Sequence, residues 1–376
     1  MIYFDNAATT KPCPEAVAAM TEAMTENYGN PSAGYFLGRE AAKRLKDARE
    51  SVARAMGARS EEVFFTSGGT ESDNWAMRGA AKLMRHKGKH IITSKTEHEA
   101  ILKTAEALKG EGYDVTYLDP DGDGRISAES VRNALRDDTI LVSVMLVNNE
   151  TGAVDPIREI ADVLKGSGAL LHTDAVQAFL KVPFSARTLG ADLISVSSHK
   201  IHGPKGAGAL YIRSGLRLPP LLTGGEQEAS RRPGTEATPA YFAFGAAAEA
   251  GRKTMAQDIE RTLEVKNHTL DEIRSRLPGV IVLGASDAPH ILNISLPGYR
   301  SEVLMNFLEA EGICVSKSSA CRRGARSHVL EAMRLRSDVI DGAIRLSFSQ
   351  YNTLSEGERF AEVLAAAAER LRTVKR

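Results

Sequence analysis

Lys200 lies in Ser195-Val-Ser-Ser-His-Lys-Ile-His-Gly-Pro-Lys-Gly206, just beyond an apolar run and ahead of a turn rich in glycine and proline. A lysine at a strand end, with His199 and Lys205 close in sequence, stands where a nearby cation lowers its pKa and makes it a Schiff-base nucleophile toward an aldehyde. A solvated loop lysine is the competing reading, so its role depends on what the fold brings to it. Three segments have complementary chemistry. Asp174, in Leu171-His-Thr-Asp-Ala-Val-Gln177, follows an apolar run that reads as a buried parallel strand. That puts a carboxylate at a strand's carboxyl end, the usual ligand crevice of an open α/β sheet. There it could hold a pyridine-type nitrogen protonated, or it could cap a helix. Thr66-Ser-Gly-Gly-Thr-Glu-Ser-Asp-Asn74 follows Val63-Phe-Phe65 and precedes a helical pattern. Its small residues let the backbone approach a ligand, and helix-start amides with Thr70 can cradle a phosphate. It is not a Walker A loop, because no Gly-Lys-Ser/Thr follows at the right spacing. Val147-Asn-Asn-Glu-Thr-Gly152 ends the apolar run from Ile140 and places Asn149 at another strand end.

The elements that must position these residues are legible in the hydrophobic pattern. From about residue 60 to 215 strand-like apolar runs alternate with patterned helices, which predicts a mostly parallel sheet covered on both faces. After Val154, Asp155 can cap a helix, Pro156 fits its first turn, and Ile157, Ile160 and Leu164 recur on one face. An alanine-rich helix from roughly Ala240 to Leu277 then leaves this domain. Beyond it, strand-like Val280-Ile-Val282, Ile291-Leu-Asn-Ile294 and Ala343-Ile-Arg-Leu346 mix with helices in a smaller α+β domain. Asp119-Pro-Asp-Gly-Asp-Gly-Arg-Ile126 imitates the start of a calcium loop, but its twelfth position is Ser130 instead of a bidentate glutamate, so it reads as a turn between a strand and a helix.

Composition bounds the answer. The chain has 376 residues, 43% of them hydrophobic, and its 48 basic side chains balance 48 acidic ones, so a large core is available and no net charge steers it to nucleic acid or membrane. Arg322, Arg323 and Arg326 have no interleaved aromatics and make a poor nucleic-acid patch. Cys13, Cys314 and Cys321 form neither a metal spacing nor a disulfide framework. Cys314, in Ile313-Cys-Val315, reads as a buried strand residue. No basic segment with a long apolar run precedes the first motif, which points to a soluble, cytoplasmic protein without a membrane span.

Taken in order, Tyr3-Phe-Asp-Asn-Ala-Ala-Thr-Thr10, Tyr28-Gly-Asn-Pro-Ser32, Ser67-Gly-Gly-Thr-Glu71, Glu97-His98, Asn148-Asn-Glu-Thr-Gly152, His172-Thr-Asp-Ala-Val-Gln177, the Lys200 segment, Arg232-Pro-Gly-Thr-Glu236, Ser318-Ser-Ala-Cys321, Ser327-His-Val-Leu330 and Ile344-Arg-Leu-Ser347 resemble the fold-type I pyridoxal-phosphate enzymes of the class V aminotransferase group, and in particular the NifS/IscS cysteine desulfurases. The resemblance implies a large domain over 13–255 with a mostly parallel seven-stranded sheet. It implies a small α+β domain of 1–12 and 256–376 that carries the catalytic cysteine loop, with the N-terminal arm packed on it. Lys200 is then similar to the lysine that binds the cofactor's aldehyde, Asp174 to the partner of the pyridine nitrogen, and Gln177 to the donor for the phenolic oxygen. His98 would stack on the ring and move protons, a role suited to a side chain with near-neutral pKa. Gly69, Thr70, Ser197 and His199 match phosphate contacts, and Thr235 matches one that reaches the phosphate from the opposite subunit of a homodimer. Arg345, with Asn149 beside it, resembles the group that grips the substrate carboxylate, a task its planar fork suits. Surface placement of His98 and a simple ion pair at Arg345 are the alternatives.

Cys321 would decide the reaction. In this family such a cysteine takes the sulfur of L-cysteine as a persulfide, alanine being the other product, for iron-sulfur cluster or thio-cofactor assembly through a scaffold or sulfur-acceptor protein. The thiolate is the nucleophile, and Arg322 and Arg323 beside it should favour that form. Its Ser/Ala/Gly/Arg setting favours an exposed loop over the buried role common for lone cysteines. The segment Lys317-Ser-Ser-Ala-Cys-Arg-Arg-Gly-Ala-Arg-Ser-His-Val-Leu330 is shorter and more basic than the family's common form, and Ser347-Phe-Ser-Gln-Tyr-Asn-Thr353 lacks the usual glycine and basic residue. A selenocysteine lyase or another class V lyase or transaminase is the enzyme alternative, and a non-catalytic scaffold relative is the alternative from another class.

Overall fold

The computed structural model describes residues 1–317 and 326–371. Its largest sheet contains β2 (Val63–Thr66), β3 (His90–Ser94), β4 (Asp114–Leu118), β5 (Thr139–Ser143), β6 (Leu170–Asp174), β7 (Leu193–Ser197) and β8 (Gly208–Ile212); a short β1 (Ile2–Tyr3) lies elsewhere. The order is β2-β8-β7-β6-β5-β3-β4. The run from β7 to β4 is parallel, whereas β8 is antiparallel to both β2 and β7. All of these strands except edge strand β4 are buried at every position, as expected when both faces of a sheet are covered. Successive residues go to opposite faces: Phe65, Ile92, Val142 and Ile194 enter one core, and Phe64, Ile91, Leu141 and Leu193 the other.

Helices α1 (Pro14–Thr25), α2 (Phe36–Met56), α3 (Gly69–Met84), α4 (Glu99–Gly110), α5 (Ala128–Ala134), α6 (Ile157–Val163) and the single turn α7 (Ala186–Leu189) cover these faces. Trp75 of α3 and Ile101 of α4 enter the second core; Val52 of α2 and Ile160 of α6 enter the first. The predicted hydrophobic face Ile157, Ile160, Leu164 is buried. The predicted cap is not formed. Pro156 occupies the N-cap position without a side-chain bond, and Asp155 turns inward, its Oδ1 accepting from the Ile126 amide at 2.7 Å. A buried backbone N–H that needs an acceptor outweighs an end cap that water can replace. Residues Asp119–Ile126 do form the turn between β4 and α5, with Asp121 Oδ1 accepting from the amides of Asp123 and Arg125, both at 2.9 Å.

The 39-residue α8 (Thr238–Arg276) joins two cores. Its Tyr241 and Phe244 lie in the first, and its Val265 and Ile273 in a separate core with Phe4, Leu292, Leu346 and Phe360. That separate core backs an antiparallel sheet in the order β12-β13-β10-β9, made of β9 (Ile281–Val282), β10 (Ile291–Ser295), β12 (Ser316–Lys317) and β13 (Ala343–Ser347). The N-terminal β1 pairs in parallel with β11 (Ile313–Cys314). Cys314 is therefore in a strand, but partly exposed instead of buried. From β1 the arm crosses to the large sheet: Ala7 donates its amide to Ser347 Oγ at 2.8 Å, and Thr10 donates its amide to His199 O at 3.0 Å.

Candidate active site

A cavity of about 410 Å³ opens at the carboxyl ends of β6 and β7 and the amino end of α3. Lys200, His98, Gly69, Thr70, Asn149, Asp174, Gln177, Ser197, His199 and Arg345 all line it. Residues from six separate stretches of sequence thus meet at one place. Thr235 does not; it is exposed and stands outside this lining. Its segment is nevertheless tied to the site, because Arg232 grips Glu71 of α3 through Nε at 2.7 Å and Nη2 at 3.0 Å. Cys321, with Arg322 and Arg323, lies outside the described residues.

Lys200 ends a 3-10 turn, Ser198–Lys200, that follows β7 directly. Its Nζ donates to the carbonyls of Ala7 at 2.6 Å and Ala8 at 2.8 Å. The N-terminal arm therefore aims the amine into the cavity. Asp174 is the last residue of β6, and its Oδ1 accepts from the Val176 amide at 2.8 Å. No helix follows, so the capping alternative fails. Burial raises its pKa, while His98, the Val176 amide and Lys200 pull the other way. Asp73, one helical turn beyond Thr70, is fully buried beside it. Burial first, and then the charges of Asp174 and Glu97, push Asp73 well above the usual carboxylate range. Glu97 is likewise raised, chiefly by burial. Burial pushes all three acids toward the protonated form, and Asp174, with Lys200 and the Val176 amide opposing that push, is the one best placed to carry charge.

His98 is the N-cap of α4, half-buried, with Nδ1 accepting from the Ala100 amide at 3.2 Å. In the neutral ring the proton is then on Nε2. Gly68, immediately before α3, has φ of +153°, a conformation open to glycine, and it leads into the helix amides at Gly69 and Thr70. Ser197 Oγ is buried there without a hydrogen-bond partner. His199 accepts from or donates to Thr9 Oγ1 at 3.2 Å, and burial, then Lys200 and Lys205, lower its pKa to about 4. Gln177 donates from Nε2 to Ala7 O at 2.9 Å.

Arg345, on β13, is 1% exposed. It donates from Nη1 to Asn149 O at 2.8 Å and from Nη2 to Asp5 Oδ1 at 3.0 Å, and Nε has no partner. It is both an ion-pairing strand residue and a donor facing the cavity.

Sequence reasoning missed several lining groups: Ala7, Ala8, Asp73, Glu150 and His328. Glu150 accepts from Ser327 Oγ, and burial raises its pKa to about 7. Asp73 could have been found from its three-residue spacing after Thr70, which puts both on one helix face. The Ala7 and Ala8 carbonyls leave no side-chain signal.

The geometry offers an amine beside a buried carboxylate, a helix start with an unsatisfied hydroxyl, and a buried guanidinium. Proteins of similar sequence and structure are known. Residues 2–360 match the class-V aminotransferase family. The chain is 42% identical over 377 residues to cysteine desulfurase IscS of Methanosarcina thermophila, covering 99% of this chain and 93% of that one. It is 40% identical over 377 residues to cysteine desulfurase IscS of Dictyoglomus turgidum, covering 99% and 96%. Among solved structures it superposes on a NifS-like protein with a TM-score of 0.93 at 34% identity, covering 98% and 100%. It superposes on SspA, in a complex with cysteine, with a TM-score of 0.83 at 33% identity, covering 94% and 100%. Likeness over the full length, on a fold that gathers this donor set at its strand ends, shows that the chain belongs to the class-V aminotransferase family, among the cysteine desulfurases.

Proposed function

We propose that this chain moves sulfur from L-cysteine to Cys321, releasing L-alanine, with pyridoxal 5'-phosphate held between Lys200 and Asp174. The observation that carries this reading is the convergence of Lys200, Asp174 and Arg345 on one cavity. The residues fit the cofactor. The buried hydroxyl of Ser197, unpartnered in the protein, suits a phosphate oxygen at the start of α3, alongside Gly69, Thr70 and His199. Asp174 suits a protonated pyridine nitrogen, Gln177 the phenolic oxygen, and Lys200 the aldehyde. When bound, the cofactor supplies an electron sink for bond cleavage at the amino acid.

The chain's own groups do the rest. Arg345 offers its unpartnered Nε, in a guanidinium fixed by Asn149 and Asp5, to the substrate carboxylate. Lys200 and His98 face the cavity as proton carriers, and His98 is positioned by its bond to the Ala100 amide. The Cys321 thiolate is the sulfur acceptor. Its S–S bond forms as the substrate C–S bond breaks, and the carbon takes a proton, so enzyme thiol plus L-cysteine becomes enzyme persulfide plus L-alanine.

The exposed position of Thr235, outside its own cavity but anchored beside α3, supports a phosphate contact to a second subunit and hence a homodimer. The division into 13–255 and 1–12 with 256–376 is supported by the two cores that α8 joins. No described helix is long and apolar enough to cross a membrane, and we take the cytoplasm as the setting, with persulfide sulfur passed to an iron-sulfur scaffold or another sulfur-acceptor protein. The test is alanine and sulfide release from L-cysteine with a reducing thiol present, for wild type and Cys321→Ala, after a bound-cofactor absorbance band has been recorded in both. Loss of turnover with the band retained is expected. Turnover kept in the variant would overturn the acceptor role and favour a lyase.

A further inference from the structure

Behind the active site a second cavity, of about 610 Å³, is enclosed by the middle of α8, the loops that follow β6 and β7, and the chain on either side of the antiparallel sheet. Leu180, Ile201, Ala247 and Phe348 give it an apolar wall. Its size is that of an ordinary small-molecule pocket. Two polar groups in its lining are unexplained by packing. The Lys181 Nζ is shut off from solvent and has no hydrogen-bond partner. His290, 2% exposed, uses Nε2 toward Gln177 Oε1 at 3.3 Å, and its Nδ1 has no partner. Because an amide oxygen only accepts, the imidazole proton is on Nε2 and Nδ1 is a bare acceptor.

A buried donor or acceptor left unmatched costs about 1–3 kcal/mol. Here an ammonium lacks an acceptor and an imidazole nitrogen lacks a donor in the same cavity. The lining carboxylates do not answer the ammonium: Glu249 pairs with Arg252 and Lys253, Asp258 accepts from Thr254, and neither they nor Glu15 hydrogen-bonds Lys181. Its charged neighbours repel it. Burial, then Lys200 and Arg345, bring Lys181 down to about 7.

We propose that this cavity binds a small organic carboxylate that also has a hydroxyl or amino donor, its carboxylate on Lys181, its donor on His290 Nδ1, and its hydrocarbon on the apolar wall. An occupant there would stand close to the chemistry. His290 holds Gln177, Gln177 donates to Ala7 O, and that same carbonyl accepts from Lys200.

The probe is 6-hydroxy-2-naphthoate, titrated calorimetrically into the full chain loaded with its cofactor, beside 2-naphthoate, which lacks the hydroxyl, and 6-hydroxy-2-naphthamide, which lacks the charge. Saturable binding of the hydroxy acid is expected, at least about tenfold tighter than the amide, as for hydrogen bonds to a charged group, and a few-fold tighter than 2-naphthoate. Lys181→Met should weaken it by about tenfold or more. Ala250→Trp, which fills the cavity from α8 and leaves Lys181 in place, should do the same, and it decides the matter where the lysine variant does not fold. No saturable heat in the wild type, equal affinity for the amide, or affinity unchanged by Ala250→Trp would overturn the proposal.

Discussion

The two walls of the active-site cavity treat buried charge in opposite ways. On the side of the parallel sheet, Asp73 and Asp174 line the cavity with Glu97 buried behind them, and side-chain oxygens of Asp73 and Glu97 are left unmatched. On the side of the antiparallel sheet, Arg345 is equally buried but its charge is already paired with Asp5 and a carbonyl, leaving Nε over. A lone buried charge is costly, and removing one partner of a buried pair is worse. A wall whose acids have no arginine or lysine ion pair among the described residues suits a group that stays, because a permanent occupant could bring the matching positive charge. A wall that must empty on every turnover needs its charge balanced from within. The difference supports the proposal that the cofactor sits against the first wall and the substrate against the second.

That contrast can be broken at either wall. The largest effect is expected where both meet, at Lys200. Lys200→Ala should lower kcat by about 10²–10⁴-fold, the usual contribution of a proton-transfer group, or more through loss of the covalent anchor. It should also shift the bound-cofactor spectrum, and an unaltered spectrum would remove Lys200 from the first wall. Next, Arg345→Gln should lower kcat/KM for L-cysteine by about 10–100-fold, matching about 1.5–3 kcal/mol for hydrogen bonds to a charged group, mostly through KM. The cofactor band should survive, and its loss would erase the distinction between the walls.

A sharper probe compares neighbouring acids. Asp174→Asn should weaken cofactor binding, measured by dialysis against the absorbance band, by at least about tenfold. Asp73→Asn replaces a group that burial and Asp174 push toward its protonated form and should change it by no more than a few-fold. Equal effects would mean that the two share the charge. The smallest consequence for activity is expected away from the cavity, at Asp155, whose pKa burial raises to about 8. A carboxylate raised in the fold binds more protons there than in the unfolded chain between about pH 4 and 8, so stability falls as pH rises through that window. Asp155→Asn keeps the acceptor for the Ile126 amide and should flatten the fall by one to a few kcal/mol, at about 1.4 kcal/mol per pKa unit. Urea denaturation at pH 5 and pH 8 measures it, and parallel curves for variant and wild type would show that Asp155 ionises freely.

Much of the fold was legible because buried parallel strands are continuous apolar runs. Ile140–Val147 announces itself, and so do the small residues at Gly68 and Gly69. The failed cap at Asp155 shows the limit. The local pattern was sound, but a long-range amide from Ile126, 29 residues away, claimed the side chain. Thr235 shows another: its motif is plain in sequence, but it stands apart from its own chain's cavity, as a contact meant for a second subunit would, and a single chain cannot display that contact.

The sequence by itself determined the strands and helices and the chemical kinds at their ends, because periodicity, turn residues and motif spacing are local properties. It placed Lys200 after one strand, Asp174 after another and Arg345 within a third. Only the tertiary structure decided what those groups face. The arm that delivers the Ala7 and Ala8 carbonyls to Lys200 joins residues almost 200 positions apart, the pairing of Arg345 with Asp5 spans 340, and the unmatched Lys181 is visible only once α8 and the antiparallel sheet close over it. Burial and opposition of charge are properties of packing, and no local pattern encodes them.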